Sequence, residues 1–127
     1  MIADESVIAN WTTYTTLASM YIKLGNSEKA EECLKEAEKR TTGREKKCFH
    51  YLITLYSHLG KKEEVYRIWN WYKATFPTIH NLGYQEVLSA LVRIGDIEGA
   101  LLLYEEWASK NSSFDPKTMN ILLAWYA

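Results

Sequence analysis

Cysteine, proline and net charge are all scarce in this chain, and each scarcity removes a class of function. The two cysteines, Cys33 and Cys48, have no CxxC spacing and no companion histidine cluster, so neither a zinc site nor a thioredoxin-type motif is supported. Buried or idle thiols in a reducing compartment are the expectation. A formal net charge of −1 excludes the broad electrostatic footprint of a strongly basic nucleic-acid binder, while leaving room for a local basic stripe. No apolar run is long enough to span a bilayer, so no membrane partner is expected. The start of the chain reads neither as a secretory leader nor as an arginine-rich amphipathic segment. His50, His58 and His80 are spread over different predicted helices, with no adjacent nucleophile, no glycine-rich phosphate loop and no HExxH. No catalysis, metal or cofactor is therefore expected. His50 and His80 meeting at a repeat boundary would make only a two-ligand site without carboxylate or thiolate support.

What the chain does have is a register. Gly25, Gly60 and Gly95 stand 35 residues apart, and Ala30, Val65 and Ala100 follow five residues after each. Rows of 35 starting at Trp11, Lys46, Asn81 and Pro116 align without a gap. The fourth position reads Tyr14, Phe49, Tyr84, Met119 and the seventh Leu17, Leu52, Val87, Leu122. The eleventh reads Tyr21, Tyr56, Leu91, Tyr126, and the fourteenth Leu24, Leu59, Ile94. Steps of three and four put these on one helical face, and a second face follows each glycine, as at Val65, Trp69 and Tyr72 and at Ala100, Tyr104 and Trp107. Glycine accepts the left-handed conformation in which helices commonly stop, so each row is a helical hairpin. Asn26 and Asp96 can cap the next helix, Lys61 cannot, and Asp115-Pro116 is a strong start signal.

The spacing predicts helices near 11–24, 27–41, 44–59, 62–75, 81–94, 97–110 and 116–126. The fold class is all-α: a right-handed α-solenoid of stacked helix-turn-helix repeats spanning 1–127, with repeats 11–45, 46–80 and 81–115, a partial repeat 116–127, and 1–10 as the tail of a preceding one. A row that stops after one helix leaves Trp125 and Tyr126 uncovered, so a longer protein is expected, with any presequence upstream. At 47% hydrophobic and 13% aromatic, the chain has ample material for a core, and most aromatics fall on the periodic columns. Trp71 lies off them and is expected to be exposed. The acidic pairs Glu31-Glu32, Glu63-Glu64 and Glu105-Glu106 read as solvated outer faces of second helices.

The columns resemble the pentatricopeptide repeat, whose unit is 35 residues. The matching segments are Thr13-Tyr14-Thr15, Cys48-Phe49-His50, Gly83-Tyr84-Gln85 and Thr118-Met119-Asn120, together with the stretches at 24–30 and 94–100. The runs at 81–84, 95–100 and 104–107 look like a plant mitochondrial subgroup of the P-type. A tetratricopeptide template fits the first row, but the spacing of 35 and the lack of a recurring proline favour the former family.

The resemblance implies single-stranded RNA held along the inner helical face, about one base per repeat. It implies base-facing fifth positions at Thr15, His50, Gln85 and Asn120, and base-facing last positions at Glu45, His80 and Asp115, with Asn10 preceding them. Flanking second positions are Thr12, Lys47, Leu82 and Lys117. These pairs depart from the family's usual Thr or Asn with Asn or Asp, so they assign no base. Glu45 is unfavourable beside phosphate, whereas Lys47 and Lys117 would neutralise it with little sequence choice. Lys23, His58 and Arg93 recur at the thirteenth position as a possible phosphate ladder, although cations there also complement a helix dipole.

The function so implied is post-transcriptional RNA binding in an organelle, the mitochondrion or alternatively the chloroplast. The rival is a structural or protein-docking solenoid. It could pack rRNA and other proteins in a ribonucleoprotein such as the mitochondrial ribosome, or act as a tetratricopeptide-like peptide scaffold.

Overall fold

The computed structural model describes residues 10–110. Six helices succeed one another there: α1 (Trp11–Lys23), α2 (Ser27–Arg40), α3 (Lys46–His58), α4 (Lys62–Thr75), α5 (Asn81–Arg93) and α6 (Ile97–Lys110). Among the described residues there is no strand. Residues 1–9 of the expected tail, the end of the third repeat with Asp115, and the whole partial repeat with Lys117 and Asn120 lie outside the described residues.

The three spaced glycines close three equivalent turns. Gly25, Gly60 and Gly95 have φ of 80°, 72° and 81°, the left-handed region. In each turn the amide after the glycine reaches back to a helix carbonyl: Asn26 to Tyr21 at 2.9 Å, Lys61 to Tyr56 at 3.0 Å and Asp96 to Leu91 at 2.9 Å. The glycine amide bonds the carbonyl of the following helix residue, and together these bonds satisfy two carbonyls left free at the helix end. The entries to the second helices differ as the sequence implies. Asn26 Oδ1 accepts from the Lys29 amide at 3.2 Å and Asp96 Oδ1 from the Gly99 amide at 3.1 Å, while Lys61 makes no side-chain cap.

Helices α1/α2, α3/α4 and α5/α6 pair as hairpins, and α1, α3 and α5 stack in a row, with α2 against α3 and α4 against α5 where hairpins meet. The stack is held by the apolar columns. Phe49, Leu52, Tyr56, Val65, Tyr84, Val87 and Leu91 are buried, and Phe49 lies flat on Tyr72 with centroids 5.1 Å apart and planes 7° apart. Trp69 meets Tyr84 edge-on at 5.6 Å, joining the second hairpin to the third. Burying side chains of this size contributes roughly 1.5–3 kcal/mol each.

Three expectations need correction. Leu24, on the fourteenth column, is 79% exposed, because that position is the helix C-cap, where the chain has left the packed stripe. Trp71 is half-buried, not exposed: its indole packs edge-on against Phe49 at 4.8 Å and lies over Gly43, whose φ of 78° turns the α2–α3 link beneath it. In α6 the buried residue between Ala100 and Trp107 is Leu103, with Tyr104 only half-buried.

Candidate functional site

The exposed side of the first-helix row carries the groove expected to hold a ligand. Between α1 and α3 lies a cavity of about 600 Å³ whose lining includes Thr12, Thr16, Ser19, Lys23, Tyr51 and His58. Between α3 and α5 lies one of about 400 Å³, lined by Lys47, His50, Tyr51, Thr54 and Glu86. Apart from His50 at the fifth, these stand at the second, sixth, ninth and thirteenth positions of the repeat, steps of four, three and four that trace one helical stripe.

Several expected site residues are brought together here. Thr12, Thr15, Lys23 and His58 line the first cavity and Lys47 and His50 the second. Thr15, however, is only 4% exposed, and its hydroxyl donates to the Thr12 carbonyl at 3.0 Å, so its proton is not available to a base. His50 is half-buried and shares a hydrogen bond of 2.9 Å between Nε2 and the Tyr72 hydroxyl. Burial holds its pKa below the usual histidine value, with Lys46 adding to the effect and Glu86 opposing it. Gln85 is half-buried on α5. Glu45 and His80 sit elsewhere, exposed at the N-caps of α3 and α5 without side-chain cap bonds. Leu82 is 57% exposed at the start of α5.

The thirteenth column is not a uniform basic ladder. Lys23 is exposed, whereas burial and the neighbouring Arg93 lower the His58 pKa, so this rung is mostly neutral near pH 7. Arg93 is exposed, yet one guanidinium nitrogen donates to buried Ser57 Oγ at 2.6 Å, and the Ser57 hydroxyl donates in turn to the Thr54 carbonyl at 2.6 Å. That register serves the α3–α5 contact first.

The sixth and ninth positions were not singled out in the sequence, and they supply Thr16, Ser19, Tyr51, Thr54 and Glu86. Tyr51 is 52% exposed and lines both cavities, its ring 6.0 Å from that of Trp11. Glu86 accepts from the Thr54 hydroxyl at 3.1 Å. The signal was available: once the second and thirteenth positions are set on one face, the helical step places the sixth and ninth between them.

On the opposite side the carboxylates are not simply solvated. Glu38 accepts from Arg67 through both terminal nitrogens at 2.8 Å and from the buried Tyr56 hydroxyl at 2.6 Å. Glu64 accepts from Lys35 at 3.1 Å, and Asp96 from Tyr66 at 2.5 Å with Lys62 at 3.7 Å. Burial works against ionising Glu64 and Asp96, but their donors outweigh it and hold both below their ordinary values. Among the described residues no group of three or more His, Cys, Asp or Glu could hold a metal, and no helix is long and apolar enough to cross a membrane.

Comparison with known proteins bears on the repeat itself. The PPR repeat pattern matches residues 12–41 and 84–112, the first and third hairpins. A pentatricopeptide repeat-containing protein of Arabidopsis thaliana is 52% identical over 99% of this chain and 24% of its own length. A large ribosomal subunit protein of the same plant is 40% identical over 98% of this chain and 25% of its own. A pentatricopeptide repeat-containing protein of that plant whose name includes "mitochondrial" is 36% identical over 99% of this chain and 25% of its own. The chain thus spans about a quarter of the length of these curated relatives. No solved structure matches it. With its 35-residue hairpin register, its glycine turns and these relatives, the chain belongs to the pentatricopeptide repeat family.

Proposed function

We propose that the protein binds single-stranded RNA along the first-helix groove and acts in post-transcriptional RNA metabolism in the mitochondrion. One observation carries the reading: a continuous stripe on α1, α3 and α5 presents hydroxyls, the exposed Tyr51 ring and two lysines, Lys23 and Lys47, that have no ion-pair partner among the described residues. Hydroxyls and lysines suit the sugar-phosphate backbone, and an aromatic face suits a base. Pentatricopeptide repeats read about one base per hairpin, and three hairpins fit a segment of a longer track. With Thr15 turned onto its own helix, backbone contacts outweigh base reading in the first groove. The mitochondrial assignment leans on the relatives whose names carry that word.

Fluorescence anisotropy with a labelled single-stranded RNA tests this. Replacing Lys23 and Lys47 by alanine should weaken binding and flatten the dependence of log K on log salt by about 0.7 per lysine. Unchanged affinity and slope would remove the groove from the binding surface.

A second reading is a structural component of a ribosomal particle. It is favoured by the relative named as a large ribosomal subunit protein and by the acidic Glu86 in the track. Stoichiometric co-sedimentation with the particle, without binding to isolated single strands, would select it.

A further inference from the structure

Glu86 stands apart from the other carboxylates. Every other half-buried one among the described residues, namely Glu31, Glu36, Glu38, Glu64, Asp96 and Glu106, has a lysine or arginine within ion-pair distance. Glu86 has none. It accepts a hydrogen bond from the Thr54 hydroxyl at 3.1 Å, which takes one of the roughly four acceptor directions of a carboxylate. Lys47 lines the same cavity but stays outside ion-pair distance. A half-buried carboxylate without a cation keeps acceptor directions open, and a ligand that brings N–H donors can fill them with charge-assisted hydrogen bonds.

The rest of the cavity says what kind of donor fits. Tyr51, at 52% exposure, supplies an aromatic ring to the lining, and the exposed Lys47 supplies a partner for phosphate. A flat ring, a polar edge and a neighbouring anion describe a nucleotide. Of the four bases, guanine alone presents two adjacent donors, N1–H and the N2 amino group, which match the two oxygens of a carboxylate. Adenine and cytosine set one amino group beside an acceptor nitrogen that would face the second oxygen, and uracil flanks its single N–H with two carbonyls.

We propose that the cavity between α3 and α5 is a guanine-selective base pocket, in which Tyr51 stacks on the base and Glu86 receives its Watson–Crick edge. This rests on the RNA-binding reading above. It puts base choice in the second groove at a sixth-position residue, since the fifth-position His50 is engaged with Tyr72.

The test measures affinity for a short oligouridine host carrying one central guanine, inosine, adenine or cytosine. The guanine strand should bind roughly tenfold more tightly than the adenine strand, the worth of one added hydrogen bond to a charged acceptor. Inosine, which lacks the N2 amino group, should fall between them, and this comparison needs no protein variant. Glu86→Gln should bring the guanine-to-adenine ratio close to one. Tyr51→Leu should weaken all the strands while keeping their order. Equal binding of guanine and adenine strands, or a preference that survives Glu86→Gln, overturns the pocket while leaving RNA binding in place. Absence of binding to the host and to every substituted strand overturns both readings. A flat ranking together with displacement by an arginine-containing peptide would give the pocket to a protein partner.

Discussion

The two faces of this solenoid use their polar residues differently. On the second-helix face, Glu38, Glu64, Asp96 and Glu106 each meet a cation from an adjoining hairpin, so charge there ties one repeat to the next. On the first-helix face, Lys23, Lys47 and Glu86 have no ion-pair partner among the described residues, and Tyr51 is half in solvent although it belongs to a buried helix row. The contrast teaches where function resides in a repeat array: stability is written on one side of each hairpin, and the other side is left with groups whose hydrogen bonds a ligand can complete.

The sharpest way to break the comparison is to remove the wall that both faces share. Phe49→Ala deletes a fully buried ring stacked on Tyr72 and should cost about 3–5 kcal/mol, read as a lowered denaturation midpoint. Next comes the second-helix face itself. Glu38→Ala leaves the buried Tyr56 hydroxyl without its acceptor and Arg67 without its bidentate partner, and should cost about 1–3 kcal/mol in the same measurement. A loss near zero would mean that the ion pairs decorate the face without holding it.

Titration separates the faces without any mutation. Burial keeps the His50 pKa below the ordinary 6.5, so the unfolded chain takes up a proton that the folded one resists. The stability from His50 is therefore present above pH 6.5 and lost as pH falls through the window below it. Glu64 and Asp96 are held below their ordinary 4.5 and 3.8, so their contribution is complete above those values and lost only at lower pH. Stability should decline in two stages on acidification, and His50→Gln should shrink the first to the share left by His58, whose pKa burial and Arg93 also lower, without touching the second. The smallest effect is expected at Glu86. Glu86→Gln keeps an acceptor for Thr54 and breaks no ion pair, so its denaturation midpoint should correspond to a change within about 0.5 kcal/mol. A loss comparable to that of Glu38→Ala would erase the distinction between the faces.

The thiols offer a check on depth. Burial pushes Cys48 up to about 11, with Glu45 and Glu38 adding to the rise against a hydrogen bond from Thr41. Half-buried Cys33 should therefore alkylate first in the native protein, and Cys48 only as the fold opens.

The fold was legible because its signals are local and repeated. Gly25, Gly60 and Gly95 mark turns that any chain of this handedness would make with glycine there, and the columns at Phe49, Leu52 and Tyr56 declare one helical face by spacing alone. The candidate site was legible only in part. Period located the second, fifth and thirteenth positions, but charge at a position does not say whether it is already engaged. Arg93 looks as free as Lys23 in the sequence, yet it bonds Ser57 from the neighbouring hairpin. Glu86 looks like any surface glutamate, and only the packing of α5 against α3 sets it beside Thr54 in a groove whose lysine, Lys47, stays outside ion-pair distance.

The sequence by itself determined the repeat, its turns and its buried stripe, because these depend on backbone conformation and on burial summed over a helical face. Tertiary structure alone decided which polar groups meet across hairpins and which are left for a ligand, because a hydrogen bond is settled within a few tenths of an ångström between residues some thirty positions apart.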